Sequence, residues 1–332
     1  MGKMGARRFA KMGLAVAAVC LAVTAAASAQ EPRSSDDGHA SEAERLHELA
    51  LDYADRGRYE EAVKILKEVV RADLANAAAH NNLGFVYYSS GRYGEAAAAY
   101  AEAIRLRGDY AVAWNNLGMA YGATGDFKSA VEALRHALKI RPDYPAAFYN
   151  LGTTYYKMGL SADAVESLTN AVRLDPGHAN AYLSLGVIQT ESGDYERAIE
   201  SLKRAAALSP DSANVNRSLG LACQNAGLLR EAVEAYRKAL SVNRDAEVYN
   251  NLGVVYDLLG STREAVESYS QAINLRPGYA EAYYNLGIAH LRAGEREKAL
   301  GQYAVLKKLA PEMADGLFAL MNRDRVLDAA RR

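Results

Sequence analysis

The chain has 332 residues, half of them hydrophobic, with 24% charged side chains and a formal net charge of −1. Seven prolines and 26 glycines in that length exclude collagen-like and low-complexity polymers, and the balanced charge supplies no basic face for nucleic acid. Tyrosine is over-used, with 22 against five Phe and one Trp.

Residues 1–29 differ in composition from the rest. Lys3, Arg7, Arg8 and Lys11 give a positive start with no acid before Glu31, and "GLAVAAVCLAVTAAASA" follows, ending in Ala27-Ser28-Ala29. A basic start, an apolar run and a small-x-small ending predict a signal peptide cleaved after Ala29. The alternative is a retained anchor, but the run is alanine-rich and shorter than the about 20 residues that span a bilayer. A lipoprotein needs a small residue before Cys20, where Val19 stands. Cleavage lowers the formal charge from −1 to −5 and leaves Cys223 without a disulfide partner. The expected location is therefore periplasmic or secreted, with stability from packing rather than cross-links. Residues 30–42, "QEPRSSDDGHASE", are polar, without apolar period, and read as a flexible linker.

A repeat begins at residue 43. Glycine recurs at Gly57, Gly91, Gly125, Gly159, Gly193, Gly227, Gly260 and Gly294, at intervals of 34 residues except for 33 between Gly227 and Gly260. With each glycine as position 15, units run 43–76, 77–110, 111–144, 145–178, 179–212, 213–245, 246–279 and 280–313. Position 7 is Leu in all eight, from Leu49 to Leu286, and position 20 is Ala in all eight, from Ala62 to Ala299. Position 8 is Gly in seven, with Ala50 in the first. Positions 4, 7, 8 and 11 share one face of a first helix, and a glycine at 15 closes it in a left-handed turn. Positions 20, 24 and 27 face inward on a second, antiparallel helix. Small residues at 8 and 20 allow close approach, and Pro142, Pro176, Pro210, Pro277 and Pro311 end second helices.

These units resemble the tetratricopeptide repeat family. The departures are Leu74, Gly108 and Arg244 in place of proline, and Gln189, Cys223 and His290 in place of tyrosine at position 11. The resemblance implies an all-α, right-handed superhelical solenoid of eight helix-turn-helix units with a concave groove. Residues 314–332, with Leu317, Phe318, Leu320 and Met321, read as a C-terminal cap over the open face of unit eight.

Polar residues in mid-helix stand out against this packing code. Position 6 is Asn82, Asn116, Asn150, Ser184, Ser218, Asn251 and Asn285 in units two to eight; position 5 adds Asn81, Asn115 and Asn250, and Arg217 in unit six. Stacking predicts a row of amides along the inner wall, where a carboxamide can meet the backbone of an extended peptide as both donor and acceptor. The resemblance supports this, since an asparagine row holds peptide backbones in the repeats of O-linked N-acetylglucosamine transferases. The competing reading is a structural bond to a neighbouring helix. Position 9 adds an apolar line: Leu51, Phe85, Met119, Thr153, Val187, Leu221, Val254 and Ile288. Tyr88, Tyr149, Tyr156 and Tyr284 could contribute contact area. Units five and six lose the asparagines together and end with the one-residue deletion, which predicts either a bend, a specificity segment or neutral drift.

Some members of the family clamp the C-terminal carboxylate of heat-shock chaperones with basic residues at positions 2, 5 and 6. Units one to three carry Glu44, His47, Glu48, Ala78, Asn81, Asn82, Val112, Asn115 and Asn116 there, so that role is not expected. The six histidines fall at unrelated repeat positions without metal spacing. "GATGDFKS", from Gly122 to Ser129, lacks the glycine before its lysine that a phosphate loop needs. No catalysis, cofactor, metal, nucleic acid or membrane insertion after cleavage is expected. The expected role is an exported scaffold that binds protein or peptide partners in its groove. The alternatives are an assembly or oligomerisation factor, including a homo-oligomer, or a regulatory subunit of an envelope enzyme or secretion complex.

Overall fold

The computed structural model describes the backbone of residues 42–330 and the side chains of residues 45–322. The expected leader and all but the last residue of the linker lie outside the described residues; Glu42 already opens a helix. The described residues form helices only, in pairs: α1 (Glu42–Asp55) and α2 (Tyr59–Ala72); α3 (Ala77–Ser89) and α4 (Tyr93–Leu106); α5 (Ala111–Thr124) and α6 (Phe127–Ile140); α7 (Pro145–Lys157) and α8 (Ser161–Leu174). The series continues with α9 (Ala179–Glu191) and α10 (Tyr195–Leu208); α11 (Ala213–Asn225) and α12 (Leu229–Val242); α13 (Ala246–Leu258) and α14 (Thr262–Leu275); α15 (Ala280–Arg292) and α16 (Arg296–Leu309); then α17 (Pro311–Ala330) alone. They fall into two compact units, dividing after Asn150.

The repeat positions do what their chemistry predicts. All eight turn glycines have positive φ, between 73° and 85°. Gly125, at φ 85°, caps α5 and donates its N–H to the Tyr121 carbonyl, a conformation that costs an L-residue roughly 1–2 kcal/mol. Every position-20 alanine is fully buried. At Gly118 the reason for position 8 is geometric: a Cβ there would lie 2.6 Å from Leu134 Cγ and 3.1 Å from the Ala130 carbonyl oxygen. The two helices of a pair are therefore closer than any side chain at that position permits. Several first helices start on side-chain caps, with Asn76 Oδ1 accepting from Ala79 N at 2.9 Å and Asp245 Oδ1 from Glu247 N at 2.8 Å. Between repeats, arginine lies over tyrosine in the turn: Arg107 over Tyr110 at 3.6 Å, Arg141 over Tyr144 at 4.0 Å and Arg276 over Tyr279 at 4.9 Å.

Within each unit, second helices pack on the first helix of the following pair (α2 on α3, α4 on α5; α10 on α11, α12 on α13, α14 on α15). First helices also touch their successors (α1 with α3, α3 with α5; α9 with α11, α11 with α13, α13 with α15), whereas successive second helices do not meet. Each unit therefore curves toward its first helices, which line the hollow side. The contact is most extensive between α9 and α11. That is the stretch where Ser184 and Ser218 stand in place of asparagine.

The cap begins three residues earlier than expected, because Pro311 opens α17 instead of ending a turn; its fixed φ suits a first helical position. Leu317 and Met321 are fully buried against the last repeat, and Leu317 supplies the side chain that meets Gly287. Phe318 stays 44% exposed, stacked on Tyr303 with ring centroids 5.3 Å apart. Leu49 is 42% exposed, unlike Leu83 or Leu117, because no repeat precedes it. Among the described residues, no helix is long and apolar enough to cross a membrane.

Candidate functional site

The paired asparagines form a ladder. Asn116 donates from Nδ2 to Asn81 Oδ1 at 3.0 Å, Asn150 to Asn115 Oδ1 at 2.9 Å, and Asn285 to Asn250 Oδ1 at 3.0 Å. In each case position 6 of one repeat binds position 5 of the repeat before it, 35 residues upstream. Within a repeat the pair is closed as well: Asn81 Nδ2 donates to Asn82 Oδ1 and Asn115 Nδ2 to Asn116 Oδ1, both at 3.2 Å. The first rung uses a histidine, with Asn82 Nδ2 2.6 Å from His47 Nε2. Burial pulls the His47 pKa below its ordinary value, against the opposing pull of Glu48, so the ring is neutral and can accept from the amide.

The ladder corrects the sequence reading at position 5. Asn81, Asn115 and Asn250 are buried, Asn115 to 2% exposure, and their amides serve the neighbouring first helix rather than a visitor. A buried carboxamide is tolerable only when bonded, and the next repeat supplies the bond. Position 6 is different. Asn82, Asn116, Asn150, Ser184, Ser218, Asn251 and Asn285 are half-buried. Asn116 spends one N–H and one lone pair on the ladder, and among the described residues its second N–H and second lone pair have no protein partner. Position 9 is half-buried from Leu51 to Ile288, with Leu221 exposed, while the packing positions 7, 8 and 11 are taken up by the core. Phe85 and Met119 thus present part of their surface one helical turn from Asn82 and Asn116.

In the second unit the first helices also carry charge. Asn251 has no asparagine to bind, because position 5 before it is Arg217 and the deletion shortens the separation; its amide acts on the Tyr236 hydroxyl, favouring the ionised phenol. Tyr236, fully buried, donates to Gln224 Oε1 at 2.8 Å, and burial raises its pKa. Arg217 is half-buried and lies 3.9 Å from Glu247, which also pairs with Arg276 at 3.3 Å. Tyr269 donates to Asp257 Oδ2 at 3.0 Å, and Arg292 stands 3.2 Å from the other oxygen. The Tyr156 hydroxyl reaches both oxygens of Glu191 at 2.8 Å; burial, then that carboxylate, pushes its pKa up to about 12. Sequence reasoning singled out Tyr156 but missed Glu191, Glu247, Asp257 and Arg292. The signal was present in opposite charges one repeat apart, Asp257 with Arg292 and Arg217 with Glu247.

Two furrows of about 510 Å³ lie at equivalent repeat positions, one beside Trp114, Tyr121 and His136, the other beside Tyr249, Tyr256 and Gln271. They are one recurring trough of the helix pair, in part filled by the Trp114–His136 stack at 4.6 Å. Among the described residues, no group of three His, Cys, Asp or Glu side chains is disposed to hold a metal ion. The segment from Gly122 to Ser129 joins the end of α5 to the start of α6, where the Asp126 side chain accepts from Ser129 N at 3.2 Å.

Tetratricopeptide repeat models match residues 75–143, 149–213, 189–252 and 281–312, and a further TPR repeat model matches 50–91 and 258–294. No curated protein matches the chain. Among solved structures, the Cut9–Hcn1 hetero-tetramer of APC/C is similar over 85% of this chain and 57% of its own, at 20% identity and TM-score 0.53. PilF of Pseudomonas aeruginosa is similar over 63% of this chain and 96% of its own, at 23% identity and TM-score 0.53. YrrB, described as a TPR protein with an unusual peptide-binding site, is similar over 55% and 94%, at 21% identity and TM-score 0.47.

Proposed function

Because the chain belongs to the tetratricopeptide repeat family, whose members bind protein or peptide partners, we propose that it is an exported scaffold holding an extended protein segment on its first-helix face. One observation carries the reading: the half-buried Asn116 amide, with hydrogen-bonding capacity left over, stands beside a half-buried apolar line on the hollow side of its unit. An extended strand offers N–H and C=O groups to such amides and side chains to such a line. The residues proposed to touch the segment are Asn82, Asn116, Asn150, Asn251 and Asn285 with Ser184 and Ser218, and Phe85, Met119 and Val254 beside them. Arg217 is a further contact, at the edge of its pairing with Glu247.

No chemistry of the chain's own is invoked. Export rests on the basic, apolar and small-residue order of residues 1–29. Sequencing the N-terminus of protein recovered from the envelope tests it, with Gln30 as the expected first residue. The binding face is tested by position 9, where Phe85 has no hydrogen bond to the ladder and Met119 only a long one, from Asn115 Nδ2 to its sulfur at 3.8 Å. Phe85→Ser with Met119→Ser should abolish cross-linking of the full chain to its native partner while leaving the helical circular-dichroism signal unchanged. Undiminished cross-linking in that variant sinks the reading.

A further inference from the structure

The face that the proposed function assigns to a ligand has a chemical bias on two neighbouring helices of the first unit, α3 and α5. The helices α3, "AAAHNNLGFVYYS", and α5, "AVAWNNLGMAYGAT", contain no Asp, Glu, Lys or Arg. This neutrality is not imposed by the fold, since α11, α13 and α15 place Arg217, Glu247, Asp257, Glu281 and Arg292 at first-helix positions. Nor is the first unit poor in charge: its second helices carry Arg92, Glu95, Glu102 and Arg105, all tied into exposed pairs. Charge is kept off α3 and α5, whereas α1, beside α3 in the same row, carries Glu44, Arg45, Glu48 and Asp52.

Resting on the reading of that face as a binding surface, we propose that the segment it takes is uncharged: an extended run of aliphatic and aromatic side chains. The argument is one of complementarity. A charged ligand side chain laid against Phe85 and Met119 loses water and finds no counter-ion, a cost that no contact on α3 or α5 returns. The ligand's backbone groups meet the spare N–H and lone pair of Asn116. Its apolar side chains meet Phe85 and the flexible thioether of Met119, which adapts to different shapes and so selects for hydrophobicity rather than for one residue. Helix axes about 8–10 Å apart set against about 3.3 Å per extended residue give roughly three ligand residues per repeat. Without ion pairs in the contact, salt has nothing to screen.

The test is selection of a phage-displayed random nonapeptide library on the full chain, followed by fluorescence anisotropy on the peptides recovered. Expected are peptides depleted in Asp, Glu, Lys and Arg. Their affinity should change less than about twofold between about 0.05 and 0.5 M NaCl, and fall at least about tenfold with Phe85→Asp or Met119→Asp, a loss of roughly 1.4 kcal/mol. Circular dichroism checks the fold of each variant, and Phe85→Thr and Met119→Thr replace any that unfolds. Charged peptides whose binding still depends on Phe85 and Met119 overturn the neutral chemistry but leave the face as the site. Peptides indifferent to both residues, or a library that yields none, overturn the binding face itself.

Discussion

The bond between Asn116 and Asn81 is the cleanest place to measure what the ladder contributes. Asn81 is buried, accepts from Asn116 at 3.0 Å and donates to Asn82 at 3.2 Å. Asn81→Ala removes both bonds and strands the Asn116 donor, for a loss of about 2 kcal/mol at a net value near 1 kcal/mol per bond plus the desolvation left behind. Asn116→Ala acts at a half-buried site, where water takes over part of the lost bonding, and should cost about 1 kcal/mol. The two changes delete one shared bond, so the double variant should be about 1 kcal/mol more stable than the sum of the single losses. Urea unfolding followed at 222 nm supplies the four free energies of the cycle. Because each repeat holds only its neighbours, loss of the tie should also broaden the transition. The equivalent pair in repeats five and six is Leu183 with Ser218, which share no such bond and should show no coupling. Additivity within about 0.3 kcal/mol at Asn81 and Asn116 would refute the ladder as an energetic unit.

Other expectations follow from the packing and the titrating groups. Gly118→Ala drives a methyl to within 2.6 Å of Leu134 Cγ and should destabilise by about 1–3 kcal/mol, visible as a lower melting temperature. Leu317→Ala empties the side chain that fills the space at Gly287 and should cost about 3 kcal/mol, with hydrogen exchange accelerating first in α15 to α17. The Tyr156 phenol is raised in the folded state to about 12 from a usual value of 10.0, so its contribution is intact below pH 10 and is lost as pH climbs toward 12. Tyr156→Phe should remove that alkaline step from a stability profile and one late-titrating phenol at 295 nm. Cys223 is buried, with its thiol pushed up to about 11, so a thiol reagent at neutral pH should modify it only at the rate of unfolding.

The helix pairs were legible because their code is local: Gly118 with Ala130, and the turn glycines, act within one repeat or at one backbone position. The burial of Asn81, Asn115 and Asn250 was hidden because it depends on a residue 35 positions away. Read within one helix, two adjacent amides look like an outward-facing polar pair. Read across repeats, the clue was there: Asn81 precedes Asn116, Asn115 precedes Asn150 and Asn250 precedes Asn285, while Leu183 precedes Ser218. The half-burial of position 9 and the spare amide capacity of Asn116 agree with the sequence pattern. The pairs Arg217 with Glu247 and Asp257 with Arg292 were missed because no single repeat shows both partners, and Glu247 with Arg276 because its partners stand at the two ends of one repeat. The more extensive contact of α9 with α11 coincides with serine in place of asparagine, and nothing within one repeat announces it.

The ladder is directional, each repeat offering an acceptor forward and a donor backward, and this makes some repeats interchangeable cassettes. Residues 111–144 carry both ends of the tie in Asn115 and Asn116, so a duplicate of that block spliced after residue 144 mates with its template and with Asn150 alike. Excising the same block brings Asn81 opposite Asn150, and the connection is kept. Residues 213–245 have neither end. Duplication of the third block therefore copies the tie with it, whereas the fifth and sixth blocks, with Leu183, Ser184, Arg217 and Ser218 at these positions, form a seam where a copied block brings no tie.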